Sequence, residues 1–111
     1  MEIKQAKFEV YIPEDYFLKL HNALNEIGAL TIGDYDHCLS TTKVTGYWRP
    51  LEGADPYDGK IGEISKAEEL KVEFRCSEKK VLEAISVIRK LHPYEKPLFN
   101  VIPVINKNYE L

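Results

Sequence analysis

The same strand-then-helix pattern occurs twice in this chain, and any fold must satisfy both copies. In AKFEVYI, Ala6, Phe8, Val10 and Ile12 alternate with Lys7, Glu9 and Tyr11, the period of a strand with one face in a core. Pro13 then opens PEDYFLKLHNALNEIGA, in which Phe17, Leu20, Leu24 and Ile27 fall at the three-four spacing of an amphipathic helix. Glu14 and Asp15 meet the positive end of that helix, and Gly28 supplies its stop. In the second half, Leu70, Val72, Phe74 and Cys76 alternate with Lys71, Glu73 and Arg75. Ser77 stands where its hydroxyl can accept a first-turn amide, and Val81, Ile85, Ile88 and Leu91 make the next apolar stripe. LFNVIPVI closes the pattern as a strand whose Pro103 favours an edge.

Between the halves, HCLSTTKVTGYWRP has the β-branched and aromatic content of an extended segment. LEGADPYDGKIGEIS follows, rich in glycine and turn pairs, and reads as a long ordered loop or an open hairpin tip. The order is β-α-β-β-α-β. Two helices cover one face of an antiparallel sheet, which predicts an α+β, ferredoxin-like βαββαβ sandwich with an extended hairpin between the second and third strands. Right-handed crossovers place the first and third strands at its centre. Residues 1–111 form a single domain in this reading, with 46–66 a glycine-rich excursion within it. The opposite sheet face, carrying Tyr11, charged groups and hairpin aromatics such as Tyr47 and Trp48, is left open. A homo-oligomer, dimer or trimer, would cover it; otherwise the hairpin folds back over its own sheet.

Composition narrows the class. A chain of 111 residues suits one core, because at about this size roughly two-thirds of the extended-chain surface is buried on folding. Apolar residues at 44% and charged residues at 30% argue against disorder and against a membrane protein. A net charge of -3 gives no basic stripe, so no nucleic-acid partner is expected. No apolar run approaches the ~20 residues that span a bilayer, and MEIKQAKFEV lacks the features of a signal peptide. The expectation is no membrane partner and a cytoplasmic location. Cys38 and Cys76, far apart and outside any CxxC pair, read as ordinary reduced thiols.

The candidate chemistry lies in a few side chains. His21 follows core-facing Leu20 and reads as a solvent-edge residue. His37 and Cys38 offer imidazole and thiolate to a divalent metal, but neighbours in a strand point to opposite faces. In HPYEKP, Pro93 stops the helix and leaves His92 beside Tyr94 and Glu95. His92 and Glu95 are candidate metal ligands, or Glu95 can hold the imidazole for acid-base work. His37, Cys38, His92 and Glu95 thus form the metal set, with ligands from a neighbouring subunit needed to complete it. Trp48, Arg49, His92, Tyr94 and Glu95 form the small-ligand set. Asp34, Asp36, Asp55 and Asp58 lack the spacing of an EF-hand. GxxxxGK[ST], GxGxxG and GxSxG are absent, so neither a familiar nucleotide loop nor a hydrolase elbow is indicated. No catalytic residue is assigned.

IGALTIGDYDHCLSTTKVTGYWRPLEGADPYDGKIGEI, followed by an EEL strand and HPYEKP, resembles a known module. It is similar to the CutA- and PII-like insert domain of YqfO-like proteins, in the dinuclear-metal family labelled type 2 GTP cyclohydrolase. The resemblance covers residues 3–105. It implies a fold similar to the CutA copper-tolerance protein and the PII signalling proteins, both ferredoxin-like trimers. Full-length relatives hold their paired metals in two flanking domains for which this chain has no room. The leading expectation is therefore a standalone oligomeric module that binds a small ligand or regulates. A divalent-metal protein with sites at subunit interfaces, and an enzyme related to the type 2 GTP cyclohydrolase family, are the alternatives.

Overall fold

The computed structural model describes residues 1–109. β1 (Gln5–Ile12) leads through a 3₁₀ turn, Glu14–Tyr16, into α1 (Phe17–Glu26). β2 (Ser40–Trp48) and β3 (Ser65–Ser77) form a long hairpin, after which a second 3₁₀ turn, Glu78–Lys80, opens α2 (Val81–Leu91). β4 (Phe99–Val104) and a closing turn, Asn106–Tyr109, complete the order. The sheet runs β2-β3-β1-β4 with every pair antiparallel. β1 and β3 are central, as the crossover rule requires, and the fold is the ferredoxin-like α+β sandwich.

The alternation in β1 sorts its residues without exception: Ala6, Phe8, Val10 and Ile12 are buried, and their neighbours are half-buried. Phe8 lies opposite Phe74 in the register, and their rings stack at 4.8 Å. Leu20 and Leu24 of α1, with Ala84 and Ile88 of α2, close this core from above. Both helix boundaries have local causes. At the end of α1, Gly28 takes φ 80°. Its N–H donates to the Asn25 carbonyl at 2.9 Å while the Ala29 N–H donates to Leu24 at 3.1 Å, the paired bonds of a Schellman stop. Before α2, Ser77 Oγ accepts from the Lys79 N–H at 3.3 Å.

Two features depart from the sequence reading. The extended segment expected from His37 begins only at Ser40. His37 itself sits in a left-handed turn, φ 56°, held by its N–H donating to Asn25 Oδ1 of α1 at 2.7 Å. The opposite-faces argument for His37 and Cys38 therefore does not apply. β3 is also far longer than its apolar alternation implies. β1 ends at Ile12, opposite Leu70, so Ser65–Glu69 pairs only with β2. This overhang contributes to a body measuring 49 × 30 × 22 Å.

Away from the helices, Lys7, Glu9, Lys71 and Glu73 form an alternating charge lattice. Lys7 Nζ lies 2.8 Å from Glu73 and Lys71 Nζ 3.3 Å from Glu9. The contact with Lys71 holds the Glu9 carboxyl below its usual range, and that with Lys7 does the same for Glu73. Among the described residues no helix is long and apolar enough to cross a membrane.

The two cysteines occupy contrasting sites. Cys76 is buried, and burial pushes its thiol pKa up to about 11, whereas Cys38 is half-buried in the loop before β2. Thiolate is the reactive form. A neutral-pH titration with a thiol reagent is therefore expected to modify Cys38 in the folded protein, and Cys76 only after denaturant is added. Mass mapping that finds Cys76 labelled first would contradict this assignment.

Candidate functional site

The HPYEKP segment becomes a corner because two prolines restrict it. His92 has φ -73° and ψ 129°, the extended conformation imposed by a following proline. Its N–H still donates to the Ile88 carbonyl at 2.9 Å, so the turn of helix completes before the chain leaves. The His92 ring then folds inward, 7% exposed. Nε2 donates to the Tyr11 carbonyl, and Nδ1 accepts the Tyr94 N–H at 3.2 Å. These partners select the neutral tautomer with its proton on Nε2. Burial lowers the imidazole pKa below its ordinary value. With both nitrogens engaged, His92 has no lone pair left for a metal in this conformation.

Tyr94 turns the other way and begins an aromatic chain. Its ring centroid lies 4.9 Å from His92, 5.8 Å from Trp48 and 5.9 Å from Tyr57. Tyr57 meets Tyr16 edge-on at 6.0 Å. The Trp48 indole N–H donates to the Asp58 carbonyl at 3.1 Å and anchors the hairpin loop. Gly59 permits this approach: it has φ 103°, and a Cβ there would lie 2.5 Å from Ser65 Oγ and 3.1 Å from Trp48 Nε1. The Asp55 N–H donates to Glu95 Oε1 at 3.1 Å, joining loop to corner. Together they enclose an open cleft of about 720 Å³.

At the cleft wall is a carboxylate that sequence reading missed. Glu69 is 7% exposed and lies across Gly46, where a Cβ would come within 1.8 Å of Glu69 Oε1. Burial first, and then Glu69 beside it, raise the pKa of the Tyr94 phenol and keep it protonated. Glu69 shares its strand parity with the exposed-looking Lys71 and Glu73, so periodicity reads it as a solvent residue. Tyr57 was likewise hidden in a loop. The special position of Glu69 depends on the hairpin register, which sets Glu69 opposite Val44 and Ala67 opposite Gly46.

Of the sequence candidates, Trp48, Arg49, Tyr94 and Glu95 line this cleft, and His92 stands behind it as a support. His37 and Cys38 belong to another cluster. His37 Nδ1 is 3.0 Å from Asp36 Oδ1, and its carbonyl accepts from His21 Nε2 at 3.0 Å. Among the described residues no three His, Cys, Asp or Glu side chains gather as a metal site. The four proposed ligands therefore do not converge within one chain.

A family profile described as CutA1 divalent ion tolerance protein matches residues 60–110, which include β3, α2 and the His92 corner. The GTP cyclohydrolase 1 type 2 homolog of Halalkalibacterium halodurans is 34% identical over 105 residues, 95% of this chain and 28% of that protein. A crystal structure of a Bacillus cereus protein related to NIF3 gives a TM-score of 0.79 at 27% identity, covering 92% of this chain and 26% of the other. The chain resembles the CutA-like insert domain of these proteins. The CutA1 protein of Shewanella sp. SIB1 shares this fold, with a TM-score of 0.70 at 18% identity over 95% of this chain and 85% of its own. This CutA-like chain spans about a quarter of the length of the curated relatives it matches.

Proposed function

We propose that this CutA-like domain is an oligomeric, cytoplasmic ligand-binding or regulatory module whose small ligand occupies the cleft between the hairpin loop and the 92–98 corner. One observation carries the reading. The loop reaches the corner through Asp55 and Glu95 at 3.1 Å and leaves about 720 Å³ between them, within the roughly 300–1,000 Å³ typical of small-molecule sites. The open charged sheet face, bordered by partly exposed Ile102 opposite Lys7, supports self-association, and the likeness to CutA favours a trimer. Among the described residues the cleft lining includes no His, Cys or Ser, so the type 2 GTP cyclohydrolase reading draws no support from it.

Trp48 is the single tryptophan and lines the cleft, so its fluorescence reports occupancy. A metabolite panel should contain a ligand that shifts this emission, and Glu95→Ala should weaken that ligand about tenfold, since hydrogen bonds involving a charged group contribute about 1.5–3 kcal/mol. Light scattering on the same samples should show an unchanged oligomer. Unaltered affinity in the variant would remove the loop-corner clasp from the binding site.

Divalent-metal binding at subunit interfaces is a second reading, supported by the CutA1 profile match and by the partly exposed His37 imidazole beside Cys38. It requires ligands from neighbouring copies, with Glu95 a candidate.

A further inference from the structure

The cleft combines features that select a class of ligand. Of the five aromatic residues that line it, Trp48, Tyr57 and Tyr94 form a contiguous set, together with the buried carboxylate of Glu69. Adjacent rings are tilted by 41–42° with centroids 5.8–5.9 Å apart. A flat ring sandwiched between two of them would need about 7 Å, twice a normal carbon contact. The arrangement instead resembles neighbouring walls of a cage, whose ring faces carry negative potential.

Glu69 adds a full negative charge behind those walls. A carboxylate removed from water is costly unless it is paired or hydrogen-bonded. The Tyr94 side chain hydrogen-bonds to it, but among the described residues no Lys, Arg or His lies within ion-pair distance of it, although Arg49 and Lys96 line the same cleft. Asp58 and Glu95 are the other acidic lining residues, so acids outnumber bases three to two. Gly46 provides the room: any side chain there would collide with the carboxylate.

We infer that the cleft binds a compact organic ammonium cation, held against the Trp48, Tyr57 and Tyr94 rings and neutralised by Glu69. This inference rests on the cleft being the ligand site and adds the charge and shape of its occupant. A methylated or primary ammonium head fits a three-walled cage, and its charge compensates a carboxylate that has the Tyr94 side chain as a hydrogen-bond partner but, among the described residues, no cation.

The test compares choline with 3,3-dimethylbutan-1-ol, a neutral molecule of nearly the same shape. Each is titrated into the full chain, with Trp48 emission and the amide NMR signals of the cleft as readouts. Choline should bind at least about tenfold more tightly, the upper range of a desolvated cation-ring interaction. Glu69→Gln should lower choline affinity about tenfold and leave the alcohol unchanged. Tyr57→Leu, a change in an exposed loop residue, should also reduce the preference for choline and covers the case in which the Glu69 variant misfolds. Equal binding of the two probes by the unaltered protein overturns the cation inference. If the alcohol or inorganic phosphate shifts the cleft signals while choline does not, the cation inference falls and the ligand-site reading stands. If no probe shifts them, the cation inference falls, and the metabolite panel alone decides the broader reading.

Discussion

Phe8→Ala is expected to lower the free energy of unfolding by about 3–5 kcal/mol, the range for deleting a buried aromatic ring. Phe8 is fully buried, stacks on Phe74 at 4.8 Å with the rings 5° from parallel, and sits in a strand paired on both sides. That pairing matters as much as the ring. With β3 and β4 fixing the backbone of β1, the surroundings have little freedom to collapse into the space left behind, so the cavity contribution is retained. Domains of this kind have about 5–15 kcal/mol of stability in total, and one substitution would remove a large part. Urea denaturation should show a lower midpoint with an unchanged slope. Leu82→Ala is the control: that residue is 80% exposed and should change stability by no more than about 0.5 kcal/mol. A Phe8→Ala loss no larger than the control's would mean that the Phe8-Phe74 stack is not the centre of the core.

What could be read from the sequence follows from the range over which each cause acts. The faces of β1 and β3, the stripes of α1 and α2, the Gly28 stop and the Ser77 cap depend on residues within about one turn or one strand. Periodicity and local chemistry therefore expose them. His37 behaves differently, because its left-handed turn is held by Asn25 of α1, and Thr41, Val44 and Tyr47 beyond it make the surrounding segment look extended. Glu69 is hidden for a related reason. Its alternation points it to the open face, and its burial arises only where the hairpin overhangs β1 and meets Tyr94. Trp48, Arg49, Tyr94 and Glu95 were recognisable as chemistry-bearing types, but the cleft they line depends on a loop closing over 40 residues of chain, from Asp55 to Glu95. The metal expectation for His92 likewise turned on a backbone carbonyl 81 residues away.

That carbonyl makes His92 the most informative position for pH. His92→Ala removes the donor to the Tyr11 carbonyl and the acceptor for the Tyr94 N–H, and unmade buried hydrogen bonds cost about 1–3 kcal/mol. In the native protein, burial holds the imidazole pKa below 6.5, outweighing the opposing effects of the Tyr11 carbonyl and of Glu69. The unfolded chain therefore takes up a proton near pH 6.5 while the folded chain does not, and stability declines as pH falls below that value toward the folded pKa. Geometry gives the same sign: protonated Nδ1 would point a second donor at the Tyr94 N–H. Glu9, Glu73 and Asp36, each held below its ordinary value by a partner, also lose stabilisation in acid, but starting from 4.5, 4.5 and 3.8. Their windows lie below that of His92. Urea unfolding from pH 5 to 8 should consequently show stability that rises toward pH 7 and then levels, with the rise above pH 5 absent from His92→Ala. A rise of equal size in the variant would locate the proton uptake in another group and leave His92 as a packing residue alone.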